Sequence, residues 1–209
     1  GFGMADVLLE PYGGQVLGLS VASTTKLTAL FALGTLVGFG FASKFLGQGG
    51  SPVWYAIVGA AIGVPGFLAI IFASVSAAVV LFLIGTFLIG LGTGLFGHAT
   101  LTATIRAAPS NQIGLSLGAW GAVQATAAGI GIALAGIVRD LVVGLQHIAG
   151  NAPETPYNFV FTVEIVFLLL ALLVTLPFLK DQKKNNVPPD PDGFRLPASE
   201  QHSKSMELS

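Results

Sequence analysis

Apolar residues run along this chain in long blocks that are interrupted by Gly, Pro and small polar residues far more than by charge. Between Leu27 and Ile105 the only Asp, Glu, Lys, Arg or His residues are Lys44 and His98. A helix needs about 20 mostly apolar residues to cross a hydrocarbon core roughly 30 Å thick while satisfying its own backbone. With Gly and Pro as punctuation, the pattern predicts the end of one helix, finishing near Glu10, then five spans near 27–43, 53–74, 77–105, 113–145 and 157–179. The third complete span, at roughly 28 residues, would reach about 42 Å and must tilt or project into the headgroups. The expected fold is therefore all-α, a polytopic transmembrane helix bundle over residues 1–180. After Lys180 the composition turns to Lys, Asp and Gln, then to Pro-Pro-Asp-Pro-Asp and Ser, which predicts a disordered polar tail at 181–209.

Composition agrees, with 53% hydrophobic and 9% charged residues leaving too little polar surface for a water-soluble fold. There is no cysteine, so disulfides, thiolate metal sites and cysteine nucleophiles are excluded. A formal net charge of −1 gives no polybasic signal for nucleic acid. The opening Gly1-Phe2-Gly3, without initiator Met or a basic flank, predicts that the sequence is a piece of a longer protein.

If connections alternate sides, Lys44, Arg106, Lys180, Lys183 and Lys184 collect on one side, against Lys26 and Arg139 on the other. The excess of positive charge predicts a cytoplasmic C-terminus. Leu17-Gly18-Leu19-Ser20 recurs as Ile113-Gly114-Leu115-Ser116, and Phe2-Gly3 as Phe96-Gly97. Three spans separate the copies, which puts equivalent loops on opposite faces, the arrangement of an inverted repeat.

In span 113–145, Gly114, Gly118, Ala122, Ala125, Gly129, Ala133 and Gly136 step by three or four and form one stripe of small side chains. Such a stripe lets another helix approach closely, from the same bundle first of all, or from a docking helix or flat pigment. Pro65 and the Gly90, Gly92, Gly94 cluster mark local kinks or close approaches. His98 can be read as a pigment ligand or as a histidine hydrogen-bonded to a neighbouring helix near Thr100, Thr102 and Thr104. Glu164, two turns inside the last span, is either a functional acid or an interfacial residue. Asp6 and Glu10, four apart on one helix face, fit the water boundary better than a shared cation. No Walker loop, His-Glu-x-x-His, Gly-x-Ser-x-Gly or paired-carboxylate pocket occurs, so catalysis is not expected.

Two runs carry more than hydropathy. Asp6-Val7-Leu8-Leu9-Glu10-Pro11-Tyr12-Gly13-Gly14, continuing to Thr24-Thr25-Lys26-Leu27-Thr28-Ala29-Leu30, and Gly114-Leu115-Ser116-Leu117-Gly118-Ala119-Trp120-Gly121-Ala122-Val123-Gln124-Ala125 resemble the PucC family. His98 to Thr104 before Ala108-Pro109, and Gly136-Ile137-Val138-Arg139-Asp140, are similar to the same family. The resemblance, which includes the LhaA branch, implies a major-facilitator-like protein of phototrophic bacteria, matched here from the end of its seventh span to its twelfth. It implies residence in the inner, intracytoplasmic photosynthetic membrane. The implied role is assembly of light-harvesting antennae, by handing bacteriochlorophyll to the antenna polypeptides or chaperoning them. Older usage calls such proteins bacteriochlorophyll synthase subunits, and the resemblance carries over no catalytic residues. The loop Gly40 to Gly47 is similar to the facilitator loop but lacks its usual acidic residue. Two other classes remain open from the sequence: a proton-coupled transporter using Glu164, Asp6 or Glu10, and a structural subunit of the photosynthetic complex.

Overall fold

The computed structural model describes residues 2–76, 78–149 and 152–185, apart from the side chains of Asp6, Val75, 146–149 and 180–185. All regular structure among them is helical: α1 (Ala5–Gln15), α2 (Val21–Gly47), α3 (Pro52–Ser76), α4 (Val79–Ala107), α5 (Ile113–Ala149) and α6 (Thr155–Asn185). Five of the six are long and apolar enough to cross a membrane. The chain divides into a compact unit up to Leu176 and a second beginning at Pro177. The second unit contains the end of α6.

Most helix bounds differ from the sequence expectation by up to four residues, α2 ending at Gly47 and α5 at Ala149, and three differ by more. Helix α1 continues past Glu10 and through Pro11 to Gln15. The Pro-Tyr-Gly-Gly stop signal is overridden because Tyr12 is fully buried, with its ring against Phe82, Tyr157 and Phe161 and its hydroxyl donating to the Ile70 carbonyl at 2.9 Å. Neighbouring helices make Pro tolerable inside a membrane helix in this way. Helix α2 starts at Val21 rather than near Leu27, because Ser20 acts as N-cap and accepts the Ser23 N–H at 3.3 Å. Helix α6 runs through Asn185, past the expected boundary at 180, in keeping with the good helix propensity of Gln and Lys. Of the expected polar tail, residues 186–209 lie outside the described residues.

The helix ends are built from local chemistry. Helix α2 closes with the Gly50 N–H on the Phe45 carbonyl and the Gly49 N–H on the Leu46 carbonyl, with Gly49 at φ +90°, a Schellman ending that favours glycine. Ser51 and Pro52 open α3, the Ser51 hydroxyl accepting the Trp54 N–H. Arg106, in the last turn of α4, donates to the Gly50 carbonyl at 2.9 Å and the Leu46 carbonyl at 2.7 Å. The C-terminal ends of α2 and α4 therefore lie together.

That contact also places the internal repeat. Leu17 to Ser20 immediately precedes α2, whereas Ile113 to Ser116 forms the first turn of α5, just after the end of α4. Since α2 is 27 residues long, about 40 Å at 1.5 Å per residue, the two copies sit at opposite ends of the bundle.

Glycine holds the centre together, with α4 as its spine. Gly34 and Gly38 of α2 face Gly90 and Gly94 of α4 so closely that a Cβ at any of the four would run into the opposing backbone. On another side of α4, a Cβ at Gly92 would lie 2.6 Å from the Gly59 carbonyl oxygen, and one at Gly85 2.7 Å from that of Gly66. In lipid, apolar burial does not drive helices together, so close packing and interhelical hydrogen bonds must. The Gly90, Gly92, Gly94 cluster is thus a set of close approaches within one continuous helix. Helix α3 likewise continues through Pro65.

Helix α6 buries one face, Tyr157, Val160, Phe161, Glu164 and Leu168, against this core. Its other face exposes Phe159, Val166, Phe167, Leu170 and Leu173. A strongly apolar face without partners is what a helix offers to hydrocarbon.

Candidate functional site

A cavity of about 520 Å³ lies between the start of α1 and helices α2, α4 and α5. Phe31, Thr35 and Phe39 line it from α2, Thr93, Phe96 and Gly97 from α4, and Trp120, Gln124, Ala128 and Gly131 from α5, with Phe2, Gly3 and Met4 closing it near α1. The α5 residues recur at steps of three and four, so one face of that helix forms the wall. Among the described residues, no charged side chain lines the cavity. Five aromatic residues do, and the size is that of a small-molecule pocket.

Its polar groups are few and mostly engaged. The Thr35 hydroxyl donates to the Phe31 carbonyl at 3.0 Å and Thr93 to the Ile89 carbonyl at 2.8 Å. Trp120 donates its indole N–H to the Thr100 hydroxyl at 3.4 Å, tying α5 to α4. The Gln124 amide has no hydrogen-bond partner among the described residues. In the sequence, Gln124 and Trp120 stand out only as part of the run that carries the family resemblance. The signal that could have singled out Gln124 is an amide in the middle of an apolar span, where a polar side chain is expensive unless used.

The stripe Gly114, Gly118, Ala122, Ala125, Gly129, Ala133 and Gly136 is exposed throughout. Nothing lies within 4 Å of a Cβ placed at Gly114, Gly118, Gly129 or Gly136. Among the described residues, α5 meets its neighbours through the adjacent face of Trp120, Gly131 and Ala135, and the glycines of the stripe meet none of them. Ala125 alone of the stripe reaches the cavity.

His98 is half-buried in α4 and sits edge-on to Phe39, with ring centres 5.5 Å apart at 85°. The expected hydrogen bond to a neighbouring helix is absent among the described residues. The Thr100, Thr102 and Thr104 hydroxyls turn back instead onto carbonyls one turn earlier, Thr102 onto that of His98. His98 does not line the cavity, although Phe39 does.

Glu164 is fully buried within the protein. Its Oε1 accepts the Ala5 N–H at 2.9 Å, and its Oε2 has no partner among the described residues. Glu10 is exposed and accepts the Thr28 hydroxyl, whereas the Asp6 side chain lies outside the described residues. Neither Glu10 nor Glu164 is among the residues that line the cavity.

A second cleft, near the far end of α5, is lined by Val7, Pro11, Gln15, Gly136, Arg139 and Asp140 among others. Arg139 pairs with Asp140 at 3.4 Å and lies 5.3 Å from the centre of the Tyr157 ring, whose hydroxyl donates to Gln15 at 2.5 Å. Among the described residues, no group of three or more His, Asp or Glu could hold a metal ion.

Compared with known protein families, residues 1–183 match the family described as PUCC protein. Protein PucC of Rhodobacter capsulatus is 61% identical over 183 residues, a match covering 86% of this chain and 39% of that protein. Protein PucC of Cereibacter sphaeroides is 56% identical over 180 residues, covering 86% and 39%. Protein PucC of Rhodovulum sulfidophilum is 54% identical over 158 residues, covering 76% and 35%. The chain thus spans about two fifths of the length of the relatives it matches. No solved structure matches it.

Proposed function

This chain belongs to the PUCC protein family and is a multi-pass membrane protein, and we propose from that premise that it serves as an assembly factor for bacterial light-harvesting antenna complexes. It presents bacteriochlorophyll to the antenna polypeptides within the membrane or chaperones those polypeptides, without covalent chemistry. The observation that carries this reading is the cavity of about 520 Å³ inside apolar helices, walled by aromatic residues and with no charged side chain among its described lining residues. Such a lining suits a flat, apolar ring system that must not meet water. Bacteriochlorophyll, when bound, would supply the light-absorbing macrocycle. Phe31, Phe39, Phe96 and Trp120 would hold its faces and edges through ring contacts, and the uncharged wall would exclude ionic solutes.

The exposed stripe of α5 is the surface we assign to the incoming antenna helix, because small side chains permit close approach. The opposite-end placement of the two repeat copies supports a bundle of inverted three-helix repeats, as in half of a major-facilitator-like fold, with the C-terminus in the cytoplasm. Glu164 bonds to the α1 backbone and does not line the cavity, which favours assembly over proton-coupled transport.

The test is to purify the intact protein from phototrophic membranes in mild detergent, record its near-infrared spectrum and identify the polypeptides that accompany it. Bound bacteriochlorophyll with substoichiometric antenna polypeptides is the expected result. A colourless protein free of antenna polypeptides overturns the proposal.

A further inference from the structure

The polar groups around the cavity restrict how a ligand can be recognised there. The Thr35 and Thr93 hydroxyl protons are spent on carbonyls of their own helices, and the Trp120 indole proton is spent on Thr100. That leaves the Gln124 amide as the uncommitted donor among the described lining side chains. With no charged side chain among the described lining residues, a carboxylate or ammonium would enter unpaired, which favours a neutral ligand. His98, the imidazole nearest in sequence to the lining segment of α4, contributes no wall; it sits behind Phe39.

We infer that the cavity recognises an uncharged, ring-bearing apolar ligand through a peripheral carbonyl that accepts the Gln124 amide N–H, and makes no use of a central metal. The inference rests on the pigment reading above and adds to it a mode of recognition. Carbonyl recognition without metal ligation has a functional logic for a transient holder. One neutral hydrogen bond contributes about 0.5–1.5 kcal/mol, which leaves the ligand easy to release.

The experiment titrates bacteriochlorophyll a and its magnesium-free counterpart, bacteriopheophytin a, into the detergent-solubilised intact protein, and compares wild type with Gln124→Met, a change that keeps length and removes the amide. The two pigments should bind wild type within about twofold of each other, and Gln124→Met should weaken both by about three- to tenfold. Resonance Raman spectra should show one pigment carbonyl at its hydrogen-bonded frequency in wild type and at its free frequency in Gln124→Met. Loss of binding by the magnesium-free pigment alone, or a free carbonyl frequency already in wild type, overturns the inference while leaving pigment binding standing. The second of these readings needs no variant to fold. Failure of wild type to bind either pigment overturns both the inference and the pigment reading.

Discussion

The Glu164 side chain accepts the backbone N–H of Ala5 at 2.9 Å, joining residues 159 positions apart at a point where neither meets solvent. Ala5 is the first residue of α1, so its N–H has no partner within its own helix. A carboxyl group on α6 supplies the missing acceptor. Glu164→Gln preserves an acceptor oxygen in the same place and should leave stability nearly unchanged. Glu164→Leu strands the Ala5 N–H and should lower stability by about 1–3 kcal/mol, read as a reduced melting temperature in detergent. Equal melting of wild type and Glu164→Leu would remove this bond from the fold's essentials.

Tyr12→Phe tests the other polar tie of α1. It deletes the hydroxyl that donates to Ile70 and keeps the ring against Phe82, Tyr157 and Phe161. Interhelical hydrogen bonds in membranes average about 0.6 kcal/mol and reach about 1.7. A loss in that interval is expected, whereas Tyr12→Ala, which also empties a buried site, should cost several times more.

Glycines in the two kinds of setting should respond oppositely. Gly90→Ala places a methyl group against the Phe31 carbonyl and should lower stability by about 1–3 kcal/mol. Gly118→Leu meets open space and should leave the melting temperature of the isolated protein within about a degree of wild type. If the α5 stripe receives an antenna helix, the same Gly118→Leu protein should retain less antenna polypeptide on purification. Undiminished recovery would move the docking surface elsewhere.

Arg106 tests the joined ends of α2 and α4. Arg106→Ala leaves the Leu46 and Gly50 carbonyls without their shared donor and should cost about 1 kcal/mol, the lower end for charged hydrogen bonds because the site is partly exposed. Arg106→Lys should recover only part of this, since an ammonium cannot span both carbonyls as the planar guanidinium does. Hydrogen exchange at residues 46–50 would register the change locally.

Spans are the most legible feature of such a chain, because length and apolarity are properties of one segment alone. Partnering is not. Gly34, Gly38, Gly90 and Gly94 and the Gly114 to Gly136 stripe read alike along the sequence, yet the first set is sealed by opposing backbones and the glycines of the second touch none of the described residues. Periodicity says that a face exists and leaves open what covers it. The same limit explains Pro11, where the local stop signal was real but the aromatic seat of Tyr12, built by α3, α4 and α6, outweighed it. The cavity was invisible for a related reason, since its walls come from segments as far apart in sequence as Phe2 and Gly131. Only the lone amide at Gln124 hinted at it.

The glycine spine of α4 has a mechanical consequence. Where backbone rests on backbone, as at Gly34 and Gly90 or Gly59 and Gly92, no rotamer can give way, so α2, α3 and α4 respond to load as one stiff plate. Helix α5 leans on that plate through Trp120 and a few small residues, with most of its surface bare. The cavity therefore has one wall of interlocked backbones, on α2 and α4, and another, on α5, joined to it through side chains.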